Sequence, residues 1–173
     1  MKKGVNIVFL LSYYIVMPTI IKKNISAKNK TIKRRSFNQS LSSSDQKFEQ
    51  GLVCTFLQML NTVKLYHWKT MSYATHQATD NLYSKLGDSI DKFVEVLLGK
   101  FGNRINLVKT KSLPLKDMSS TEDFKREITK YKTFLINLDK EPTMKKMANT
   151  DLFNIRDEML GELNQFLYLY TFK

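Results

Sequence analysis

From Ser44 to Phe101 the chain runs without a proline, and its apolar residues return every three or four positions. Phe48, Leu52, Thr55, Phe56, Met59, Leu60, Val63 and Tyr66 form one series. Leu82, Tyr83, Leu86, Ile90, Phe93, Leu97 and Phe101 form a second. A period near 3.6 puts each series on one face of a helix. The first helix is predicted from Ser44, with Ser44 or Asp45 as N-cap, for about 24 residues to His67–Lys69. The second is predicted from Tyr73 to Phe101, with Gly99 and Gly102 marking its end. Three prolines and six glycines in 173 residues leave few turns, so the expected fold class is all-α.

Residues 103–119 contain Pro114 and show little periodicity. They are too many for a tight turn, and at about 3.3 Å per residue they reach the length of a bundle. A third helix is predicted from Ser119 or Ser120, with Glu122 and Asp123 in its first turn. It runs through Phe124, Ile128, Tyr131, Leu135 and Leu138, and Glu141–Pro142 breaks it. A fourth begins near Asn149 or Thr150 and carries Leu152, Ile155, Met159, Leu160, Leu163, Phe166, Leu167 and Tyr170. Four helices with one long crossover between the second and third describe a ferritin-like four-helix bundle, assigned to residues 45–173. The one cysteine, Cys54, excludes an intrachain disulfide and sits in an apolar run as a small core residue.

The net charge of +12 is concentrated at one end. Residues 1–47 hold ten Lys/Arg against one acid, and residues 48–173 hold eighteen against fifteen. Residues 1–21 contain an apolar run, Val5 to Ile21, after Lys2 and Lys3. Its readings are a signal peptide, a membrane anchor, or upstream sequence before a true start at Met17. Seventeen helical residues span only about 25 Å, short of a hydrocarbon core of roughly 30 Å. The product would be cytoplasmic or virion-borne without a targeting segment, and membrane-associated or secreted with one. Residues 22–44 follow as a basic, polar arm with too little apolar surface to fold alone. Its cations Lys22, Lys23, Lys28, Lys30, Lys33, Arg34 and Arg35 suit phosphate contacts to DNA, or alternatively a membrane-flanking or solubilising tail.

Both histidines of the chain, His67 and His76, fall in one short stretch with Trp68, Asp80, Asp91 and Glu95. His76, Asp80, Asp91 and Glu95 lie at about 0°, 40°, 60° and 100° on a helical wheel, a single narrow wedge. Imidazole with carboxylate suits iron, manganese or zinc. His76 and Asp80 are one turn apart, as are Asp91 and Glu95, but the two pairs are about 22 Å apart along the helix. One ion cannot use both pairs of one chain. Two copies of the helix crossing antiparallel about a two-fold axis would bring one copy's His76 and Asp80 to the other's Asp91 and Glu95. Ser84 and Gly87 lie on the same wedge near the midpoint, where small residues allow close approach.

The run His67-Trp68, Tyr73-x-x-His76-x-x-x-Asp80, then Asp91-x-x-x-Glu95, resembles the Dps branch of the ferritin-like superfamily. The eleven-residue step from Asp80 to Asp91 matches that pattern, and the likeness covers roughly residues 50–102. It extends more weakly to Thr150-Asp151-Leu152 and Gln165-Phe166-Leu167 in the last helix. The chain also resembles ferritin-like proteins of large DNA viruses. The resemblance implies a homo-oligomer, at least a two-fold dimer and in this family a dodecamer. It implies metal ligands His67, His76 and Asp80 from one subunit and Asp91 and Glu95 from its mate, with Trp68 beside them as a one-electron donor. The implied activity is ferroxidase chemistry, oxidation of ferrous iron by peroxide or oxygen, with iron stored inside a shell. The turn between His67 and His76 is three residues shorter than is usual there and lacks its glycine, so the turn decides where His67 stands. Asp157, Glu158 and Glu162 are candidates for an interior mineral surface. The alternatives are a non-catalytic structural or DNA-packaging bundle and a membrane-tethered one.

Overall fold

The computed structural model describes residues 41–172. The apolar segment 1–21 and the basic positions from Lys22 to Arg35 lie outside the described residues. The fold is all-α: α1 Ser43–Lys69, α2 Tyr73–Phe101, α3 Thr121–Asn137, α4 Pro142–Lys145 and α5 Thr150–Leu169. Among the described residues no helix is long and apolar enough to cross a membrane.

Each boundary has a chemical cause. The α1 N-cap is Ser42, two residues before the expected Ser44: its Oγ accepts from the Asp45 N–H at 3.2 Å. Asp45, three residues on, accepts from Ser42 Oγ at 2.6 Å and places its charge at the positive end of the helix. Ser72 caps α2, where its Oγ accepts from the Thr75 N–H at 3.3 Å, and Ser120 caps α3 through the Asp123 N–H at 3.0 Å. Gly102 ends α2 at φ 66°, a left-handed conformation in which a Cβ would be strained. Gly99, expected to share that role, lies inside the helix.

The third helix stops at Asn137 and tightens into a 3-10 turn over Leu138–Lys140. Pro142 ends the helical run as expected, but it also opens α4, where a missing N–H costs nothing at the first position. Thr143 of this short helix donates to Asp45 Oδ1 at 2.7 Å, and Lys146 Nζ lies 3.1 Å from the same atom. These contacts tie the 138–149 connection to the start of α1.

Helix directions follow from cross-helix contacts. His67 meets Thr79 at 3.2 Å, so α1 and α2 run antiparallel. Lys85 pairs with Glu162 at 2.9 Å and Lys100 with Asp151 at 3.0 Å, so α2 and α5 do too. Thr62 meets Tyr131 at 2.9 Å, and Tyr66 meets Thr121 at 3.2 Å, which sets α3 antiparallel to α1. Helices α2 and α3 therefore point the same way, and the chain between them must return. Residues 103–120 do so along α1: Gln50 donates to Asn106 O, Gln58 to Pro114 O, and Lys69 pairs with Asp117 at 2.7 Å. The segment is pinned to α3 by Lys116, which pairs with buried Glu127. Burial raises the pKa of Glu127, but Lys116 and Lys130 outweigh it and the net shift is downward.

The core fills the space between α1, α2, α3 and α5 with Leu52, Phe56, Met59, Val63, Leu86, Phe93, Phe124, Leu135, Leu152 and Leu163. Phe56 packs edge-on against Phe93 at 5.5 Å and Phe134 at 6.2 Å. Of the C-terminal aromatics, Phe166 is buried and Tyr170 half-buried, its hydroxyl donating to Tyr66 at 2.8 Å, whereas Tyr168 and Phe172 are exposed.

Asp45 supports one test. Its hydrogen bonds from Ser42 and Thr143, with Lys146 beside it, hold its pKa at about 2, below the usual 3.8. A depressed carboxylate pKa contributes stability above its unfolded value and loses it as pH falls toward the folded one. Asp45→Asn should therefore lower the thermal midpoint at pH 6, by the equivalent of about 1–2 kcal/mol for lost charged hydrogen bonds. The gap from wild type should close between pH 4 and pH 2, as read by circular dichroism melts. A gap that persists unchanged at pH 2 contradicts the assignment.

Candidate metal centre

The three-residue turn Thr70–Ser72 reverses the chain so that the end of α1 lies against the start of α2. The Thr70 N–H donates to Tyr66 O at 3.0 Å, and the His76 N–H donates to Ser72 O at 2.9 Å. Across this corner the two histidines grip each other. His67 Nδ1 is 3.1 Å from the His76 carbonyl oxygen, and His76 Nδ1 is 3.1 Å from the His67 carbonyl oxygen. Their rings stack at 3.9 Å between centroids. The shortened turn therefore keeps His67 beside His76.

A carbonyl only accepts, so both Nδ1 atoms carry the hydrogen. Thr79 reinforces this choice. Its hydroxyl donates to Thr75 O at 2.8 Å, leaving the oxygen to accept from His67 Nδ1 at 3.2 Å. With Nδ1 committed, each neutral ring has its lone pair on Nε2. That is the arrangement found behind metal-bound histidines, where the second nitrogen is held by a carbonyl or carboxylate.

His67 Nε2 faces Asp80 Oδ1 at 3.8 Å. A lone pair turned toward a carboxylate calls for positive charge nearby. Lys64 supplies it, with Nζ 3.7 Å from the same Asp80 oxygen. The Lys64 ammonium also lies 4.8 Å from the centre of the Tyr83 ring and 5.7 Å from that of Trp68. Trp68 itself is 69 % exposed and reaches Asp80 only through Lys64.

Asp91 and Glu95 stand one turn apart on the exposed side of α2, and neither makes an ion pair among the described residues. Lys92 turns away from them, 3.7 Å from Glu158 of α5. Within one chain the wedge divides into two halves as its spacing requires. Among the described residues no three His, Cys, Asp or Glu side chains converge tightly enough to hold an ion. Between the halves, Ser84 is exposed and a Cβ on Gly87 would meet no atom within 4 Å. Lys85, near the midpoint, is drawn toward α5 by Glu162 and Gln165.

Two contributors, Thr79 and Lys64, escaped the sequence reading. Thr79 is three residues beyond His76, and Lys64 three before His67, so each shares a helix face with a histidine. Their roles depend on how α1 registers against α2, which their spacing does not reveal.

The histidine clasp makes a spectroscopic prediction. Long-range proton–nitrogen correlation spectra at pH 8 should show both imidazoles as the Nδ1–H tautomer. Thr79→Val should cost about 1 kcal/mol, the usual worth of one hydrogen bond, and leave the tautomer of His76 unchanged. An Nε2–H tautomer at both rings would falsify the clasp.

No curated protein and no solved structure matches the sequence. The model of a family of unknown function, DUF5856, matches residues 67–170. The match begins on His67, takes in His76, Asp80, Asp91 and Glu95, and covers more than half of the chain, which therefore belongs to this family.

Proposed function

We propose that this chain is a ferritin-like, Dps-type protein that binds and oxidises ferrous iron at a site completed by a second subunit. The observation that carries the reading is the clasp. Two imidazoles with Nδ1 held by carbonyls stack on each other, one of them, His67, faces Asp80, and a second carboxylate pair lies about 22 Å away along the same helix. The run of 103–120 along α1, between parallel α2 and α3, also suits a ferritin-like four-helix bundle with a long crossover.

In this reading α2 crosses α2 of a second copy antiparallel, at Ser84 and Gly87. His67, His76 and Asp80 then face Asp91 of the partner subunit and Glu95 of the partner subunit. Ferrous iron is the substrate. The mixed nitrogen and oxygen donors suit it, and suit manganese or zinc as competitors. The carbonyl-held Nδ1 atoms orient the imidazoles, while the carboxylates offset the growing positive charge as iron loses an electron. Two ferrous ions, each giving up one electron, reduce one peroxide, which takes two protons from solvent and leaves as two waters. Lys64 holds Asp80 until the substrate cation displaces its ammonium, and exposed Trp68 is an electron donor at the edge.

A structural, non-catalytic role is the competing reading. It is favoured by the same hydrogen bonds, which also serve as a latch between α1 and α2 without any metal.

Two measurements separate these readings. Wild type should speed oxidation of ferrous iron by peroxide, and His76→Ala/Asp80→Ala should remove the acceleration. Equal rates for wild type and the double variant would sink the site assignment. Gly87→Ala should stabilise the isolated helix by up to about 1 kcal/mol but weaken self-association by obstructing the crossing. Stabilisation without any change in association, read by sedimentation, counts against the crossing.

A further inference from the structure

Glu49 stands in the second turn of α1 and is only 1 % exposed. Among the described residues it makes no ion pair, and its one hydrogen bond comes from a neutral group: Asn103 Nδ2 donates to Glu49 Oε2 at 2.8 Å. The positive end of the α1 dipole does not compensate it, since that field fades within the first turn. Lys100, in the last turn of α2, is committed to the α5 side, held by Asp151 at 3.0 Å and by the Ala148 carbonyl at 2.6 Å. A charged carboxylate taken out of water without a counter-charge is costly.

Asn103 is fixed in place by its backbone. Left-handed Gly102 closes α2, and the N–H groups of Gly102 and Asn103 both return to Leu98 O, at 2.9 Å and 3.4 Å. Gln50, beside Glu49 in the chain, donates to Asn106 O at 2.8 Å and fastens the same loop to α1. With Nδ2 spent on Glu49, Asn103 Oδ1 is buried and accepts no hydrogen bond. The last turn of α2 brings its free carbonyls and its negative dipole end to the same end of the bundle. A water satisfies Oδ1 but leaves the carboxylate charge uncompensated, whereas a cation answers both.

We propose that Glu49 and Asn103 hold a hard cation of the calcium class, which pins the start of α1 to the end of α2. The donors are oxygens alone, and turning the Asn103 amide over sets Oδ1 beside the carboxylate. No third acid or histidine is needed, because main-chain carbonyls and water complete an oxygen set. Calcium accepts such irregular sets, while magnesium demands near-octahedral geometry and gives up its waters reluctantly. With one carboxylate, the expected Kd is on the order of 1 mM. The site lies at the opposite end of α1 and α2 from His67 and His76, within one chain, so it stands or falls independently of the iron site.

The test uses the full chain, stripped of metal by a chelator, in choline chloride at constant ionic strength. Calcium chloride at about 10 mM, roughly ten times the expected Kd, should raise the thermal midpoint by about 3–5 °C, and magnesium chloride by less. Glu49→Gln keeps the size and removes the charge. It should melt at or above metal-free wild type and lose the calcium shift. Asn103→Asp adds a second carboxylate. It should melt below wild type without metal, recover with calcium, and bind calcium about tenfold more tightly by calorimetry. His76→Ala/Asp80→Ala should keep the whole shift, which separates this site from the iron site. A calcium shift that survives in Glu49→Gln, or that disappears in His76→Ala/Asp80→Ala, overturns the proposal. So does a wild type indifferent to calcium with an Asn103→Asp variant that calcium fails to rescue, since Glu49 and Asn103 would then share a hydrogen bond and nothing more.

Discussion

The reciprocal hydrogen bonds between His67 and His76 are the constraint on which the rest of the candidate site depends. They close a three-residue corner, set the register of α1 against α2, and choose the tautomer of both rings. That register puts Lys64 and Asp80 side by side and brings Thr79 beneath the ring of His67. Without the clasp, the two histidines would be nine residues apart on unrelated helix ends. With it, the ring of His67 stacks on that of His76 and turns its Nε2 toward Asp80.

The opposite constraint is distance. The second carboxylate pair, Asp91 and Glu95, is fixed to the same rigid helix and cannot approach the first. A straight helix turns a sequence interval into a length, and here that length exceeds any coordination sphere. The proposed two-chain site follows from that rigidity, and Gly87 gains a reason that its own chain does not supply. Buried Glu127 anchors Lys116, so one ion pair ties the returning segment to α3.

Much of this was legible in the sequence because helix period and caps are local signals. The bounds of α2, and the start of α3 at Ser120, follow from serine caps and Gly102. Ser42, Ser43 and Ser44 offer equal hydroxyls, so the sequence alone does not single out Ser42 as the α1 cap. The choice is made by Asp45, which stands three residues after Ser42 and completes the cap. The break at Pro142 is legible, but the short helix it opens is not, since Thr143 of that helix is held by Asp45, far away in the chain. In the site, the wedge on α2 was legible from spacing alone. The stacking of His67 on His76 and the parts played by Thr79 and Lys64 were not, because they arise only when two helices meet.

The most direct test of a shared site is complementation between two inactive subunits. One carries His76→Ala/Asp80→Ala and the other Asp91→Ala/Glu95→Ala. Unfolded together and refolded as an equal mixture, they should recover about one quarter of wild-type iron oxidation, because half of the two-fold pairs are mixed and each restores one of its two sites. A mixture that stays as inactive as its parents, while still associating, would contradict a site built from both chains.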